Sequence, residues 1–168
     1  MKEIKRDLFD CISDHKAICI TTNGQYEKDK ACMWGGCAKV CADRWPQTST
    51  RLATCLKNFG TNVPFILGML DKDLKYMEPN LKLIKADKYK CLIFSFPTID
   101  DLMDGAKIEL IKRSAEAMRA FADRFQLMNI ASGRFGSGIG GLAWADVKPV
   151  VAPYLDDRFT IVSFPHEE

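Results

Sequence analysis

A nine-residue run near the C-terminus, Gly133-Arg134-Phe135-Gly136-Ser137-Gly138-Ile139-Gly140-Gly141, constrains this chain more than any other stretch. It follows an apolar segment, Leu127 to Ala131, whose pattern predicts a buried strand, and it leads into Leu142 to Val147, which reads as a helix start. Five of the nine residues are glycine. Without a Cβ, glycine lets the backbone come close to a ligand and take positive φ. A strand, a glycine bend and a helix start together aim backbone N–H groups at one point, which suits phosphate oxygens. The plainer alternative is a turn that only lets strand and helix pack. As a string, Gly136-x-Gly138-x-x-Gly141 matches the dinucleotide fingerprint. That fingerprint, however, belongs to a first βα unit with an acid at the end of the next strand. Here the bend lies late in the chain, and Asp156 and Asp157 precede the next predicted strand. No Gly-Lys-Ser or Gly-Lys-Thr occurs, which excludes a Walker loop.

The 168 residues, 47% hydrophobic and 27% charged, predict one folded domain with a substantial core. A net charge of +2 is too small to argue for nucleic acid or membrane by charge. The N-terminus is charged, with no apolar leader behind it, and no stretch nears the ~18 residues of a membrane helix. A cytoplasmic monomer is expected. Seven cysteines, an odd number, fall mostly in apolar runs and read as reduced, buried thiols. Cys32, Cys37 and Cys41 are close in sequence, but no Cys-x-x-Cys occurs and the histidines are His15 and His166 alone, so no metal and no cofactor are expected.

Strands are predicted at Ala17–Thr22, Phe65–Leu70, Leu81–Ile84, Lys90–Ser95, Leu127–Ala131 and Phe159–Phe164. Helices are predicted at Gly36–Trp45, Ser49–Phe59, Ala106–Arg124 and after Asp146, with Asp104 as a cap of the longest and Pro149 in the first turn of the last. In that longest helix Ile108, Ile111, Ala115, Met118, Ala122 and Phe125 form one apolar stripe. Strands that alternate with helices and are apolar on both faces predict an α/β fold, a mixed, mostly parallel sheet with helices on both sides. Ligands in such sheets bind beyond the carboxyl ends of the strands.

A second constellation is Thr21-Thr22-Asn23-Gly24 at a strand end, followed by Met33-Trp34-Gly35-Gly36-Cys37-Ala38-Lys39 opening a helix. Its glycines again leave helix-start N–H groups free, and Asn23 can donate and accept, as a sugar hydroxyl requires. Asn-Gly is also a common turn. Two such bends suggest a ligand with a diphosphate between two sugars.

In order and spacing these segments resemble the macrodomain family. Lys5-Arg6-Asp7-Leu8-Phe9 is similar to its opening segment, Ile18 to Gly24 to its strand-plus-Asn motif, Met33 to Lys39 to its first glycine loop, and Phe94 to Thr98 to a strand end of phage and bacterial members. Gly136 to Leu142 with Trp144, Asp146 and Val147 resembles the branch of ADP-ribose-1''-phosphate phosphatases and ADP-ribosyl-glutamate hydrolases. The resemblance implies a three-layer α/β/α macrodomain that takes ADP-ribose, a derivative, or an ADP-ribosylated macromolecule, and hydrolyses it at the distal ribose or only binds it. It implies Asp7 at adenine, Asn23 at the distal ribose, Gly35, Gly36 and Cys37 at the distal ribose and second phosphate, Leu8 and Gly24 among the ligand-binding residues, and Trp34 either closing over the distal ribose or packing on the sheet. Gly136, Ser137, Gly138, Ile139 and Gly140 would wrap the diphosphate. Phe164 would pack on adenine or in the core, and Phe135 would cover the distal sugar. Where glutamate hydrolases of the family carry a lysine and an aspartate, this chain has Ile99 and Gly140, and Trp34 stands where many relatives have glycine. Asn23 and Asp29 are left as catalytic candidates. Asp146 is a general base or a helix cap.

Overall fold

The computed structural model describes residues 1–164. Elements follow in chain order: β1 (Lys2–Lys5), a 3-10 turn (Phe9–Ser13), β2 (Ala17–Asn23), β3 (Tyr26–Glu27), β4 (Lys30–Ala31), α1 (Gly36–Arg44), α2 (Gln47–Phe59), β5 (Ile66–Leu70), β6 (Tyr76–Met77), α3 (Leu81–Lys85), β7 (Cys91–Ile99), α4 (Ile108–Phe125), β8 (Ile130–Gly133), a second 3-10 turn (Gly138–Gly140), α5 (Trp144–Val151) and β9 (Phe159–Ser163). Seven strands form one sheet in the order β1-β9-β8-β2-β7-β5-β6, and β3 and β4 form a separate hairpin. The five strands from β1 to β7 run parallel, so all five carboxyl ends lie on one edge. β5 and β6 add an antiparallel flank.

Every residue of β7 is buried, and β2 is buried from Ala17 to Ile20, so both sheet faces must be covered. The period of two sorts the side chains. Ile18, Ile20 and Ile93 face a core with Cys41 of α1 and Leu52 and Leu56 of α2. Cys19, Leu92, Phe94 and Phe96 face Ile111, Ala115, Met118 and Ala122 of α4 with Val147 and Val151 of α5. The predicted stripe of α4 is thus the buried one. Truncating its fully buried Ile111 to alanine should cost roughly 2–5 kcal/mol. All seven cysteines are free thiols. Burial pushes Cys41 and Cys91 up to about 12, so they stay neutral core groups.

Four local readings are corrected. Leu81–Ile84 is not a strand but the start of α3, because Asn80 caps it: its Oδ1 accepts from the N–H groups of Lys82 (3.0 Å) and Leu83 (3.2 Å). Asp104 does not cap α4. The cap position is Lys107, whose ammonium pairs with Asp104 at 3.2 Å. The cap position of α5 is Ala143, which leaves Asp146 in its exposed first turn and Pro149 inside the helix. β8 begins at Ile130, while Leu127 instead closes the end of α4 with its N–H on the Ala122 carbonyl. β1 and the β3–β4 hairpin lack apolar alternation. β1 is an exposed edge strand, and no sequence signal had marked it.

Candidate functional site

A cleft of about 760 Å³ opens across the carboxyl edge of the parallel strands. Its wall takes Arg6 to Phe9 after β1, Phe164 after β9, Gly133 and Arg134 at the end of β8 with Gly136 to Gly140 beyond it, Thr21 to Asn23 at the end of β2, and Thr98 and Ile99 at the end of β7. It is therefore the strand-end crevice expected of such sheets, at the size usual for a small-molecule site.

The first bend delivers the N-terminus of α1. The helical ladder begins with the bond from Lys39 N–H to Gly35 O (3.1 Å), and no side chain caps the helix. The N–H groups of Gly36, Cys37 and Ala38 thus precede the ladder, and all three residues line the cleft. The first turn holds no acid, so its partial positive charge is left for a ligand. Gly36 sits at φ +55, where a side chain would be strained.

The second bend is built differently. Gly136, Gly138 and Gly141 take φ of +72, +74 and +77, and the loop closes on itself through Gly141 N–H to Gly138 O (3.0 Å) and Leu142 N–H to Gly136 O (2.9 Å). It is seated on the entry to α4, where Gly140 O accepts from Ala106 N–H at 3.1 Å. A Cβ added at Gly140 would fall 2.7 Å from that of Ala106. The Ser137 hydroxyl is buried with no hydrogen-bond partner among the described residues, a cost a ligand could relieve. The two bends meet. A Cβ on Gly35 would lie only 2.5 Å from Ile139 Cδ1, so the Ile139 side chain rests against the first bend.

Around the bends, Asp7 lines the wall while its Oδ1 accepts from Phe9 N–H (2.7 Å), which fixes the carboxylate at the 3-10 turn. Asn23 donates from Nδ2 to Cys32 O (2.8 Å) and accepts from Gln25 N–H at Oδ1 (2.9 Å), fastening the first bend to the end of β2. One amide hydrogen and one lone pair remain to it. Leu8, Trp34, Gly35, Gly36, Cys37, Gly136 to Gly140 and Phe164 also line the cleft. Phe164 is 55% exposed, so it is not a core residue.

Four expected residues lie elsewhere. Phe135 is 1% exposed and stacks on Phe96 at 3.9 Å, turned inward because the apolar space between sheet and α5 takes the ring. Gly24 is outside the wall, its N–H donating to Asp100 O at 3.2 Å. Asp29 is on the exposed tip of the β3–β4 hairpin, and Asp146 is exposed on α5. His15 pairs with Asp14 at 2.7 Å, away from the wall, and His166 lies outside the described residues.

The sequence reading missed Arg6, Phe9, Val40, Arg44 and Leu102. Val40 and Arg44 were within reach, since they follow Gly36 at helical spacing of four on the same face of α1. Arg44 places its guanidinium 4.7 Å from the Phe9 ring centroid. Arg6 is held by Asp14, Asp10 O and Ser13. That pairing keeps the Asp14 carboxyl below its usual range. Among the described residues the wall carries one carboxylate, Asp7, and no lysine or histidine.

A mixed seven-stranded sheet between helical layers, with a cleft at the parallel strand ends, is the macrodomain fold, and solved structures bear this out. The DarTG protein of Thermosipho africanus, described in complex with ADP-ribose, superposes with a TM-score of 0.74 at 17% identity. The match covers 99% of this chain, which spans only 42% of that one. The macrodomain of Mycobacterium tuberculosis DarG gives 0.71 at 20% identity, covering 98% of this chain and 97% of the other. That of Thermus aquaticus DarG gives 0.70 at 18% identity, with coverage of 98% and 97%. No family model and no curated protein matches the sequence.

Proposed function

We propose that this chain binds ADP-ribose, free or as the end group of a derivative, in the strand-end cleft. The observation that carries the reading is the meeting of two amide-rich bends over one crevice, with Asp7 on its flank. With Asp7 beyond β1 and Asn23 at the end of β2, the ligand would lie along the strand-end edge. Asp7, Leu8 and Phe164, beyond β1 and β9, would take adenine by a hydrogen bond from its amino group and by ring contact. The α1 N-terminus and the 136–140 bend would take the diphosphate through N–H groups. Asn23 and Trp34, toward β2 and β7, would border the second ribose. Four strand spacings separate β1 from β7, about 19 Å, which is room for an extended dinucleotide-like ligand. The structure of the Thermosipho DarTG protein with ADP-ribose supports the same reading. Calorimetry with ADP-ribose should give micromolar binding, about −8 kcal/mol; absence of heat at millimolar ligand would reject it.

Hydrolysis at the distal ribose is the second reading. It is favoured by the uncapped α1 N-terminus, whose N–H groups could stabilise charge developing on a phosphate oxygen. It would need a water held by Asn23, with Asp7 the one wall carboxylate among the described residues to serve as base. Phosphate release from ADP-ribose-1''-phosphate, lost on Asn23→Ala, would establish it.

A further inference from the structure

The wall of the cleft carries the guanidinium groups of Arg6, Arg44 and Arg134. Two of them are engaged. Arg6 forks onto Asp14 and also donates to Asp10 O and Ser13 Oγ. Arg134 lends its charge to Glu3 on β1. Arg44 enters no ion pair among the described residues. The neighbouring Asp43 is taken by Lys39 at 2.7 Å, and Arg44 instead sits over a ring, its guanidinium 4.7 Å from the Phe9 centroid. Phe9 is itself fixed, by its N–H on Asp7 Oδ1 (2.7 Å) and by the Trp45 ring, 6.3 Å away between centroids. A guanidinium placed over a ring is pre-positioned yet keeps N–H donors for a further partner.

Helix α1 locates this cation along the cleft. Gly36, Val40 and Arg44 recur at a spacing of four on one face, and all three line the wall. Eight residues separate the first from the last, about 12 Å of helix. With the diphosphate at the Gly36 end and adenine at Asp7, the adenosine ribose that joins them would lie alongside Val40, with Arg44 one turn further on. ADP-ribose carries all its charge on the diphosphate, which the amide bends would hold, so it brings no counterion to Arg44. A phosphate on the adenosine ribose would. The planar fork of arginine matches two phosphate oxygens, and in dinucleotide-binding folds an arginine near the adenosine ribose is what accommodates a 2′-phosphate. We infer that Arg44 seats a phosphate carried on the 2′ or 3′ oxygen of the adenosine, so that the cleft takes phosphorylated ADP-ribose, of the kind derived from NADP-type dinucleotides, in preference to ADP-ribose itself. This rests on the ADP-ribose reading of the same cleft.

The test is calorimetry on the full chain with ADP-ribose and ADP-ribose 2′-phosphate, for the wild type, Arg44→Gln and Arg44→Lys. Adenosine 2′,5′- and 3′,5′-bisphosphate, each against adenosine 5′-monophosphate, tell the two positions apart. The wild type is expected to bind a phosphorylated form about 10-fold tighter than its parent at low salt, a preference that shrinks as salt is raised. Arg44→Gln keeps a stem over Phe9 without the charge and should bring the ratio to about 1, while Arg44→Lys should retain part of it. Equal affinities in the wild type at both positions, or a preference that survives Arg44→Gln, overturns the assignment and leaves the ADP-ribose reading standing. If neither ADP-ribose nor its 2′-phosphate binds the wild type, the ADP-ribose reading falls, and this one with it.

Discussion

The two glycine bends face the same ligand space but are built on opposite terms. The bend before α1 is open: nothing lies within 4 Å of a Cβ added at Gly36, and its binding power is the unfilled hydrogen-bonding capacity of a helix end. The bend after β8 is a closed turn seated on α4, where Gly136 is pressed between Ile111, Leu142 and Ala106. What it would offer a ligand is shape, held by packing underneath. On the ADP-ribose reading, backbone chemistry alone would make two anion seats, one from a helix terminus and one from a turn held by side chains. They should fail in different ways.

The largest effect is expected at Gly138. Its Cβ space is empty, so Gly138→Glu should fold at a strain cost of about 1 kcal/mol for its φ of +74, yet it would set a carboxylate against the diphosphate and weaken ADP-ribose binding by at least ~100-fold in calorimetry. Retained affinity in a folded variant would remove the second bend from the site. Next, Gly136→Ala should cost about 2 kcal/mol in urea unfolding, because its Cβ would lie 2.9 Å from Ile111 Cδ1 at φ +72. Gly36→Ala, strained but unobstructed, should cost about 1 kcal/mol. Equal costs would show that the two bends are not built differently. Asp7→Ala should weaken ADP-ribose about 10-fold and leave ribose 5-phosphate unchanged; matched losses would take Asp7 out of the adenine role.

The smallest effect concerns the support of the second bend. Glu3 on β1 accepts from Trp144 Nε1 at 2.7 Å and pairs closely with Lys148, tying the edge strand to α5, and Trp144 packs on Phe135. The Lys148 and Trp144 hydrogen bonds hold the Glu3 carboxyl below its ordinary value of 4.5. A lowered folded value gives stability that is present above 4.5 and lost as pH falls through the folded value. Glu3 is about one-third exposed, so solvent screening keeps the contribution under about 1 kcal/mol. Glu3→Gln should melt slightly below the wild type at neutral pH, and the gap should close on acidification below pH 4.5. A gap that widens instead would mean that the carboxylate is not what stabilises this contact.

Much of this was legible in one dimension. The α4 stripe, the buried β2 and β7 and the two glycine clusters are periodic or compositional signals, and periodicity reports which face is covered. Leu81–Ile84 went wrong because four residues of apolar alternation suit a strand or a helical turn alike. The deciding group, the Asn80 side chain, lies one residue upstream. Asp29 was misplaced because its short hairpin shows no hydrophobic period. Phe135 was misassigned because a ring inside a glycine loop can turn either way, and only the space beside Phe96 decides which.

What the amino-acid order settles here is local: where glycine permits positive φ, where a helix begins uncapped, and which side of each element is apolar. Those depend on neighbours a few residues away. That Ile139 rests on Gly35, that Arg44 covers Phe9 and that Asp7 comes to the wall were decided only when the five parallel strands aligned their ends. Contacts between distant segments follow from sheet order and core packing, and no short stretch of chain encodes them.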